Sequence, residues 1–312
     1  MIIINIIGLL LAGVILVLSG SLTIKTLLKI ASYLNLSDYT IGFIIMAFAT
    51  SLPELFIGIN SILANTPSLA LGDILGSNIV DLTLVLGLVA ILARKIQIKG
   101  KIAIRDTYLA VFIAILPILL MLDRDLNRTD AIVLLFVFSF YIIKLWWQRK
   151  RFKKTSNSIS KKEFIKNIIL LIVGMALLLI SANLMVSFST TVALGLGVPL
   201  ILIGVIIVAI GTGLPELVFE IKAVMIKREG MSIGNALGSV VVQGTMILGI
   251  VGLISPFTIE NFKLFLIAAV FLLLSLALFT FFLRTKDALS WKEGMILIML
   301  YIIFIIVELI FN

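Results

Sequence analysis

Long apolar stretches separated by short polar ones run along the whole chain. Most are close to the roughly 20 residues that a helix needs to cross the hydrocarbon core of a bilayer. The pattern predicts an all-α membrane protein with ten transmembrane helices. We place them near residues 2–20, 39–63, 68–92, 104–122, 129–147, 164–184, 198–225, 231–254, 262–283 and 292–310. Residues 21–38 either extend the first helix or lie along the membrane interface.

The composition agrees with lipid as the solvent and narrows the possible chemistry. Of the 312 residues, 62% are hydrophobic and 13% are charged, against roughly 25% charged residues in soluble domains. The chain has no histidine and no cysteine. This excludes disulfides, zinc sites built from these residues and proteases that depend on histidine. We therefore expect no enzyme activity and no cofactor, and any bound cation must be held by oxygen atoms.

The positions of the basic residues predict the orientation. With the N-terminus outside the cell, alternate loops and the adjoining helix ends hold 22 of the 25 Lys and Arg residues, as the positive-inside rule requires. This favours an N-out, C-out topology in the cell membrane, and it accounts for the net charge of +9 without a nucleic-acid partner. We interpret residues 149–163 as a basic cytoplasmic linker between a first repeat at 1–148 and a second at 164–312, all within one integral membrane domain.

The two halves of the chain resemble each other. Residues 41–92 and 203–254 align without gaps at an offset of 162, and 20 of the 52 positions are identical. Each half has five predicted helices, an odd number, so the second half enters the membrane from the opposite side. Inverted repeats of this kind are typical of secondary transporters, whose site lies where the repeats meet.

Polar residues inside the second predicted helix share one face. Ala47, Thr50 and Glu54 are spaced i, i+3 and i+7, so they project from the same side of a helix. Pro53 lacks an amide hydrogen and its ring clashes with the carbonyl one turn back, so we expect a kink or a break. Carbonyls freed inside a membrane need a partner, and a cation is a suitable one. The seventh predicted helix repeats the arrangement with Ala209, Thr212, Pro215 and Glu216.

The third and eighth predicted helices add a second pair of polar faces. Ser77 and Asp81 are spaced i and i+4, and Gly72 and Gly76 leave room for another helix to approach closely. The eighth helix repeats these features with Gly234, Gly238, Ser239 and Gln243. Four such faces predict an all-oxygen cage with up to three carboxylates, of the kind that calcium prefers and sodium can also use. The candidate cation ligands are Ala47, Thr50, Glu54, Ser77, Asp81, Ala209, Thr212, Glu216, Ser239 and Gln243.

Three further polar residues lie in the same segments. Asp73 and its repeat mate Asn235 either line entrances to the site or cap helices. Glu220 lies one turn beyond Glu216, and it either lines the inner path or, as we favour, pairs with a nearby lysine such as Lys222 or Lys227. Any of the polar groups in these helices could instead serve only as a hydrogen bond between helices.

Four segments of the chain resemble the two alpha repeats of the calcium/cation antiporter superfamily. They are AFATSLPE at 47–54, GDILGSNIVD at 72–81, AIGTGLPE at 209–216 and GNALGSVVVQ at 234–243. The similarity is greatest to the prokaryotic sodium/calcium exchanger branch and extends over essentially the whole chain. It implies that Glu54 and Glu216 are central carboxylates shared by calcium and sodium, and that transport proceeds by sliding of the first and sixth helices. It further implies carbonyl or hydroxyl ligands from Ala47, Thr50, Ala209 and Thr212, sodium ligands from Ser77 and Ser239, and completion of the middle of the site by residues 81 and 243.

The chain departs from the family pattern near the middle of the site. The family usually has Asn in the first repeat and Asp in the second, where this chain has Asp81 and Gln243. The acid has thus moved to the other repeat, and the lack of an Asp in the second repeat argues against potassium cotransport. Gly213 replaces a usual Ser and Val240 a usual Asn, so the second half is poorer in polar groups.

These observations favour a sodium/calcium antiporter, in which calcium leaves the cell as sodium enters. The alternative is a proton/calcium antiporter, or one for another divalent cation, because closely spaced carboxylates can take up protons. A channel is disfavoured because no segment resembles a selectivity-filter loop. A carrier fold that binds ions without transporting them stays open because of the changed ligands. The expected partners are calcium ions, sodium ions and the lipid bilayer, with no protein partner indicated.

Overall fold

The computed structural model describes residues 2–33, 46–97, 101–148, 160–225, 227, 229–286 and 288–311. Within these residues the chain forms ten helical rods and two small β-ribbons. The rods are α1 (Ile2–Tyr33), α2 (Ala47–Thr50 and Leu52–Leu63), α3 (Pro67–Val80, Asp81–Val85 and Leu86–Ala93), α4 (Lys101–Leu120), α5 (Arg128–Gln148), α6 (Lys161–Leu196), α7 (Leu200–Ile203, Gly204–Val208 and Ala209–Met225), α8 (Glu229–Val241, Val242–Ile247 and Leu248–Ile254), α9 (Phe262–Lys286) and α10 (Trp291–Phe311). Most of the predicted linker, residues 149–159, lies outside the described residues.

Most of these rods have the length and composition of membrane-spanning helices. Large apolar side chains such as Ile4, Ile172 and Ile302 project outward from α1, α6 and α10, as they do where lipid is the solvent. Two shorter apolar helices are Leu52–Leu63 and Tyr108–Asp123. Seven of the described helices are long and apolar enough to cross a membrane, namely Ile3–Leu27, Pro67–Ala93, Lys161–Leu196, Leu200–Met225, Ser232–Ile254, Phe262–Phe282 and Trp291–Phe311.

Helices α3 and α8 form the centre of the molecule. In each of these two helices, 83% of the most apolar 18-residue stretch is buried inside the protein, whereas the buried share is 28% in α1, α6 and α10. Glycines allow close packing here: a Cβ at Gly72 would lie 2.3 Å from the Ile201 carbonyl oxygen, and one at Gly76 would lie 2.5 Å from that of Val205. The close helix approach predicted at these two glycines is therefore confirmed, and the partner is α7.

π-helical turns interrupt the described parts of the central helices. Asp81–Val85 in α3 and Val242–Ile247 in α8 occupy equivalent places in the two repeats, and Gly204–Val208 lies in α7. A π turn contains one extra residue, changes the hydrogen-bonding pattern of the backbone and is frequent at functional sites. Asp81 and Gln243 lie at the beginning of the first two turns, so the helix geometry is altered where these polar side chains emerge.

The two halves of the chain interlock at their ends. Strand β1 (Lys95–Gln97), which follows α3, pairs antiparallel with β4 (Ala288–Ser290), which precedes α10. Strand β2 (Asp125–Leu126), which precedes α5, pairs antiparallel with β3 (Phe257–Thr258), which follows α8. Helices also pack between the halves: α10 packs on α3, and α5 packs on α8. The last helix of each half is thus held by the other half, and the two halves form one body.

The first helix of each half packs along its counterpart. The most extensive helix contact in the described structure is between α1 and α6. It is tight where a Cβ at Gly174 would lie 2.6 Å from Thr23 Oγ1. Gly20 of α1 lies over the prolines of both polar helices, since its Cβ position is 3.2 Å from Pro215 and 3.6 Å from Pro53. The α1–α6 pair therefore borders α2 and α7 next to their prolines.

Helices α1 and α6 are longer than predicted. α1 continues to Tyr33, so the segment after residue 20 extends the first helix; residues 34–38 lie outside the described part of the chain. α6 runs to Leu196, whereas the predicted helix ended at residue 184. Two threonines after that point are satisfied within the helix: Thr190 donates a hydrogen bond to the Val186 carbonyl and Thr191 to the Ser187 carbonyl, each one turn back.

The irregularity expected at the two prolines differs between the halves. α2 is interrupted at Ser51, whose ψ of 6° departs from the helical value, and Pro53 follows at the start of the next segment. Ser51 Oγ donates to the Ala47 carbonyl at 2.8 Å, in competition with the backbone. In α7 the helix runs on through Pro215. Gly213 stands there in the place of Ser51 and has no hydroxyl to compete, so the break is present in α2 and absent from the described α7.

Replacing Gly76 by alanine should destabilise the protein. The new Cβ would lie 2.5 Å from a backbone oxygen of Val205, so α3 and α7 would have to move apart. Overpacking of this kind costs about 1–3 kcal/mol, which should lower the melting temperature of the purified protein in detergent. Gly230→Ala is the matched control, because nothing lies within 4 Å of its Cβ position. Equal melting temperatures for the two variants would contradict the close crossing.

Candidate cation site

All ten candidate ligands lie in the interior of the protein, and each has an exposed fraction of 0%. They are distributed over α2, α3, α7 and α8, which meet in the centre of the molecule. Polar contacts of 3.0–3.4 Å join six of them into three pairs, and each pair connects two helices. The remaining four are two carboxylates and two alanines.

Two of the pairs are contacts between hydroxyl groups. Thr50 Oγ1 lies 3.3 Å from Ser239 Oγ, between α2 and α8. Ser77 Oγ lies 3.0 Å from Thr212 Oγ1, between α3 and α7. Thr212 is the repeat mate of Thr50, and Ser239 is the repeat mate of Ser77. The same threonine–serine contact is therefore formed twice, with the roles of the two halves reversed. This is the relation that a twofold axis through the site would produce.

The third pair joins the two residues that depart from the family pattern. Gln243 Nε2 donates to Asp81 Oδ2 at 3.4 Å, whereas Asp81 Oδ1 and Gln243 Oε1 have no hydrogen-bond partner in the described part of the chain. The two residues are repeat mates in contact with each other, so they lie where the two halves meet. A Cβ at Gly213 would lie 2.9 Å from Val80 and 3.7 Å from Asp81 Oδ1. The glycine on α7 thus leaves room for the carboxylate-bearing turn of α3.

Glu54 and Glu216 are the groups that most need a partner. Neither side chain is exposed, and none of their four carboxylate oxygens has a hydrogen-bond partner among the described residues. Burying a polar group without hydrogen bonds costs roughly 2–7 kcal/mol, and burying an isolated charge costs more. Each glutamate directly follows a proline of the repeated motif. A bound cation would supply the interaction that these carboxylates lack.

Ala47 and Ala209 can contribute only their backbone carbonyls. The Ala47 carbonyl accepts hydrogen bonds from Ser51 Oγ at 2.8 Å and from the Ser51 amide at 3.3 Å. The Ala209 carbonyl oxygen lies 3.3 Å from Thr212 Oγ1. Each carbonyl therefore has a hydroxyl of a polar helix as its neighbour, and a cation would have to share the oxygen with that hydroxyl.

Acidic side chains alone do not form a metal site in the described part of the chain, where no group of three or more Asp and Glu residues could hold a metal ion. The cage with up to three carboxylates stays a prediction, because helical spacing defines a shared face but not the distance between helices. A cation here would be held by carboxylate oxygens together with hydroxyl, amide and carbonyl oxygens, which both sodium and calcium accept.

Asp73 belongs to the same polar cluster, whereas its sequence position predicted only an entrance to the site or a helix cap. It lies in the middle of the helix Pro67–Val80, so it caps neither end, and it is fully buried. Its Oδ1 accepts hydrogen bonds from Ser77 at 3.3 Å and from Thr212 at 3.1 Å. The spacing contained the signal, because Asp73, Ser77 and Asp81 follow one another at four-residue intervals on one helix face.

In the second half, Asn235 is the repeat mate of Asp73, and it contacts Glu220. Asn235 Oδ1 accepts a hydrogen bond from Thr50 at 3.3 Å, and its Nδ2 donates to Glu220 Oε1 at 3.4 Å. Ser232 Oγ donates to Glu220 Oε2 at 3.2 Å. These neutral donors take the place of the lysine that we expected to pair with Glu220, because Glu220 faces the interior and is fully buried.

Comparison with known protein families agrees with the internal repeat. A model of the family described as sodium/calcium exchanger protein matches the chain over residues 4–147 and again over residues 166–310. The two matches correspond to the two predicted halves, and the segment between them contains the predicted linker.

Individual relatives cover nearly the whole chain. The sodium/calcium exchanger MaX1 of Methanosarcina acetivorans is 29% identical over 98% of this chain and 99% of its own. The uncharacterized membrane protein MJ0091 of Methanocaldococcus jannaschii is 32% identical over 88% of each chain. A solved structure of the sodium-calcium exchanger NCX_Mj, soaked with Na⁺ and Sr²⁺, matches with a TM-score of 0.70 and 27% identity over 97% of this chain and 98% of the other. The chain is thus a multi-pass membrane protein that belongs to the sodium/calcium exchanger family, a family of ion transporters and not of enzymes.

Proposed function

We propose that this protein is a secondary active antiporter that exchanges sodium for calcium across the cell membrane by alternating access. The main support is the pair Glu54 and Glu216, two buried carboxylates in repeated motifs whose oxygens have no hydrogen-bond partner among the described residues. Buried charges of this kind are stabilised by a counter-charge, and in a membrane they commonly mark an ion pathway. Relatives named as sodium/calcium exchangers match nearly the whole chain.

The proposed membrane arrangement has ten transmembrane helices in two inverted five-helix repeats, with both termini outside the cell. The repeats are residues 1–148 and 164–312, and residues 149–163 form a basic cytoplasmic linker. Support comes from the seven long apolar helices, the two family matches and the exchange relation between the hydroxyl pairs. In such an arrangement the site lies at the interface of the repeats, near the middle of the membrane.

The proposed ligands differ in their roles. Glu54 and Glu216 bind calcium and sodium in turn, and Asp81 and Gln243 complete the middle of the site. If all three acids are ionised the site has a charge of about −3, which three sodium ions neutralise and one calcium ion reduces to about −1. Both loads are therefore compatible with the same residues. The flanking ligands are the hydroxyls of Thr50, Ser77, Thr212 and Ser239 and the carbonyls of Ala47 and Ala209.

Sliding of α1 and α6 is the proposed conformational step. These two helices pack mainly on each other and expose much apolar surface, so they can shift along the lipid without separating the four central helices. Gly20 of α1 lies against Pro53 and Pro215, and because it has no side chain, no protruding group obstructs sliding at this contact. The shift would open the site to one side of the membrane and then to the other.

A proton/calcium antiporter, or one for another divalent cation, is the second candidate. The unpartnered oxygens of Glu54 and Glu216 favour it as well, because a proton also removes the charge of a buried carboxylate. The two candidates differ in the gradient that drives calcium movement, so both gradients must be applied to the same vesicles.

Calcium-45 uptake into proteoliposomes tests the proposal. Vesicles loaded with sodium and diluted into sodium-free medium should take up calcium, and external sodium should abolish the uptake. Glu54→Gln should reduce uptake at least about tenfold, because losing a charged ligand costs about 1.5–3 kcal/mol. Glu260→Gln makes the same change at an exposed residue and should leave uptake unchanged. Uptake driven only by a pH gradient would replace the sodium proposal with the proton one, and no uptake under either gradient would contradict both.

Exchanging the acid and the amide at residues 81 and 243 tests the role of that pair. Asp81→Asn should raise the calcium concentration for half-maximal uptake about tenfold, because it removes a charged ligand. Adding Gln243→Asp restores a carboxylate and allows the hydrogen bond between the two positions to form in the reverse direction. The double variant should therefore regain most of the calcium affinity. A double variant no better than Asp81→Asn would show that the carboxylate has to lie on α3.

A further inference from the structure

Asp73 is a buried carboxylate outside the set of ten proposed ligands. Its Oδ1 accepts hydrogen bonds from Ser77 Oγ at 3.3 Å and from Thr212 Oγ1 at 3.1 Å. Its Oδ2 is also buried and has no hydrogen-bond partner among the described residues. Both donors to Oδ1 are neutral hydroxyls, so they do not balance the negative charge that an ionised Asp73 brings into the protein.

The equivalent position in the second half has a different chemistry. Asn235, the repeat mate of Asp73, is neutral, and it uses both ends of its amide: Oδ1 accepts from Thr50 and Nδ2 donates to Glu220. Glu220 receives a hydrogen bond on each carboxylate oxygen, from Asn235 and from Ser232. The Asn235 side is thus satisfied by protein donors, whereas the Asp73 side keeps one carboxylate oxygen without a donor.

Close contact between two backbones keeps Asp73 away from bulk water. A Cβ at Gly204 would lie 2.8 Å from the Asp73 amide nitrogen, and one at Gly72 would lie 2.3 Å from the Ile201 carbonyl oxygen. α3 and α7 therefore touch at this level, and Asp73 has an exposed fraction of 0%. An ionised carboxylate at such a place needs a cation close to it.

We propose that Asp73 is a further ligand for the monovalent cation, sodium in the exchange cycle, that the hydroxyls of Ser77 and Thr212 bind on the α3–α7 side of the central site. The proposal rests on the proposed function and extends it. The three side chains offer one carboxylate and two hydroxyl oxygens, whose single negative charge one sodium ion balances. Calcium takes about six to eight oxygen ligands, often with several carboxylates, so this group suits it less well. Because Asn235 replaces the acid in the other half, sodium binding is asymmetric across the site.

Equilibrium binding of sodium-22 to the purified full-length protein in detergent tests this position directly. Asp73→Asn should lose one bound sodium ion or bind it about tenfold more weakly. Calcium-45 binding should change by less than about threefold, because the central carboxylates remain. The asparagine still accepts from Ser77 and Thr212, and the second repeat has asparagine at this position, so the variant should fold. Asp123→Asn, the same change at an exposed residue, is the matched control.

Two results would overturn the proposal: sodium binding by Asp73→Asn with wild-type number and affinity, or equal losses of sodium and calcium binding. If the amide variant does not fold, Asp73→Ser removes the same carboxylate and is measured in its place. Sodium-driven calcium uptake by the wild-type protein judges the exchange function separately. A wild-type protein that binds sodium through Asp73 without coupling it to calcium refutes exchange and retains this position. Coupled exchange by the wild-type protein, together with unaltered sodium binding in Asp73→Asn, supports the exchange function and refutes the role of Asp73.

Discussion

The carboxylates of Glu54 and Glu216 are removed from water without any donor on their oxygens in the described structure, and the other features of the centre relate to this constraint. A charged residue inside a membrane costs about 3 kcal/mol or more, so a fold that retains two of them has to offset the cost. A lysine or arginine in contact would do so permanently, and a transported ion would then have no function there. The groups that surround the site are instead hydroxyls, an amide and the backbone of interrupted helices, which are oxygen donors for a cation and do not replace it.

The backbone follows the internal repeat more closely than the side chains do. The π turns of α3 and α8 occupy equivalent places, the β-ribbons exchange partners between the halves, and the Thr50–Ser239 and Ser77–Thr212 contacts convert into each other. The side chains break this relation where they affect charge. Asp81 faces Gln243, and Asp73 has Asn235 as its mate. Gly213 in place of Ser51 also changes the helix itself, because α2 is interrupted there and α7 is not.

Features that depend on local spacing could be predicted from the sequence, and features that depend on distances between helices could not. The rods, the halves and the glycine crossing of α3 follow from hydrophobic length, the 162-residue offset and the spacing of Gly72 and Gly76. The end of α6 was misplaced because a threonine hydroxyl can be satisfied by the backbone of a helix as well as in a loop. The partners of Glu220 escaped prediction because Ser232 and Asn235 come from the next helix. The spacing of Asp73 with Ser77 and Asp81 indicates a shared face of α3, but the close approach of α7 that buries Asp73 does not follow from local spacing.

The separation between moving helices and ligand-bearing helices allows ion preference to change without loss of the fold. The proposed sliding helices α1 and α6 contain none of the proposed ligands, and Gly20 of α1 contacts the polar helices at Pro53 and Pro215. An aspartate or an asparagine at residue 73 can accept the same hydrogen bonds from Ser77 and Thr212, so this position can alter charge while the helix crossing is kept. On the four central helices the first half contributes three buried carboxylates, Glu54, Asp73 and Asp81. The second half contributes Glu216 and Glu220, of which Glu220 already has two donors. The unsatisfied negative charge is therefore concentrated in the first half, and a cation crossing this nearly symmetric scaffold meets an asymmetric electrostatic path.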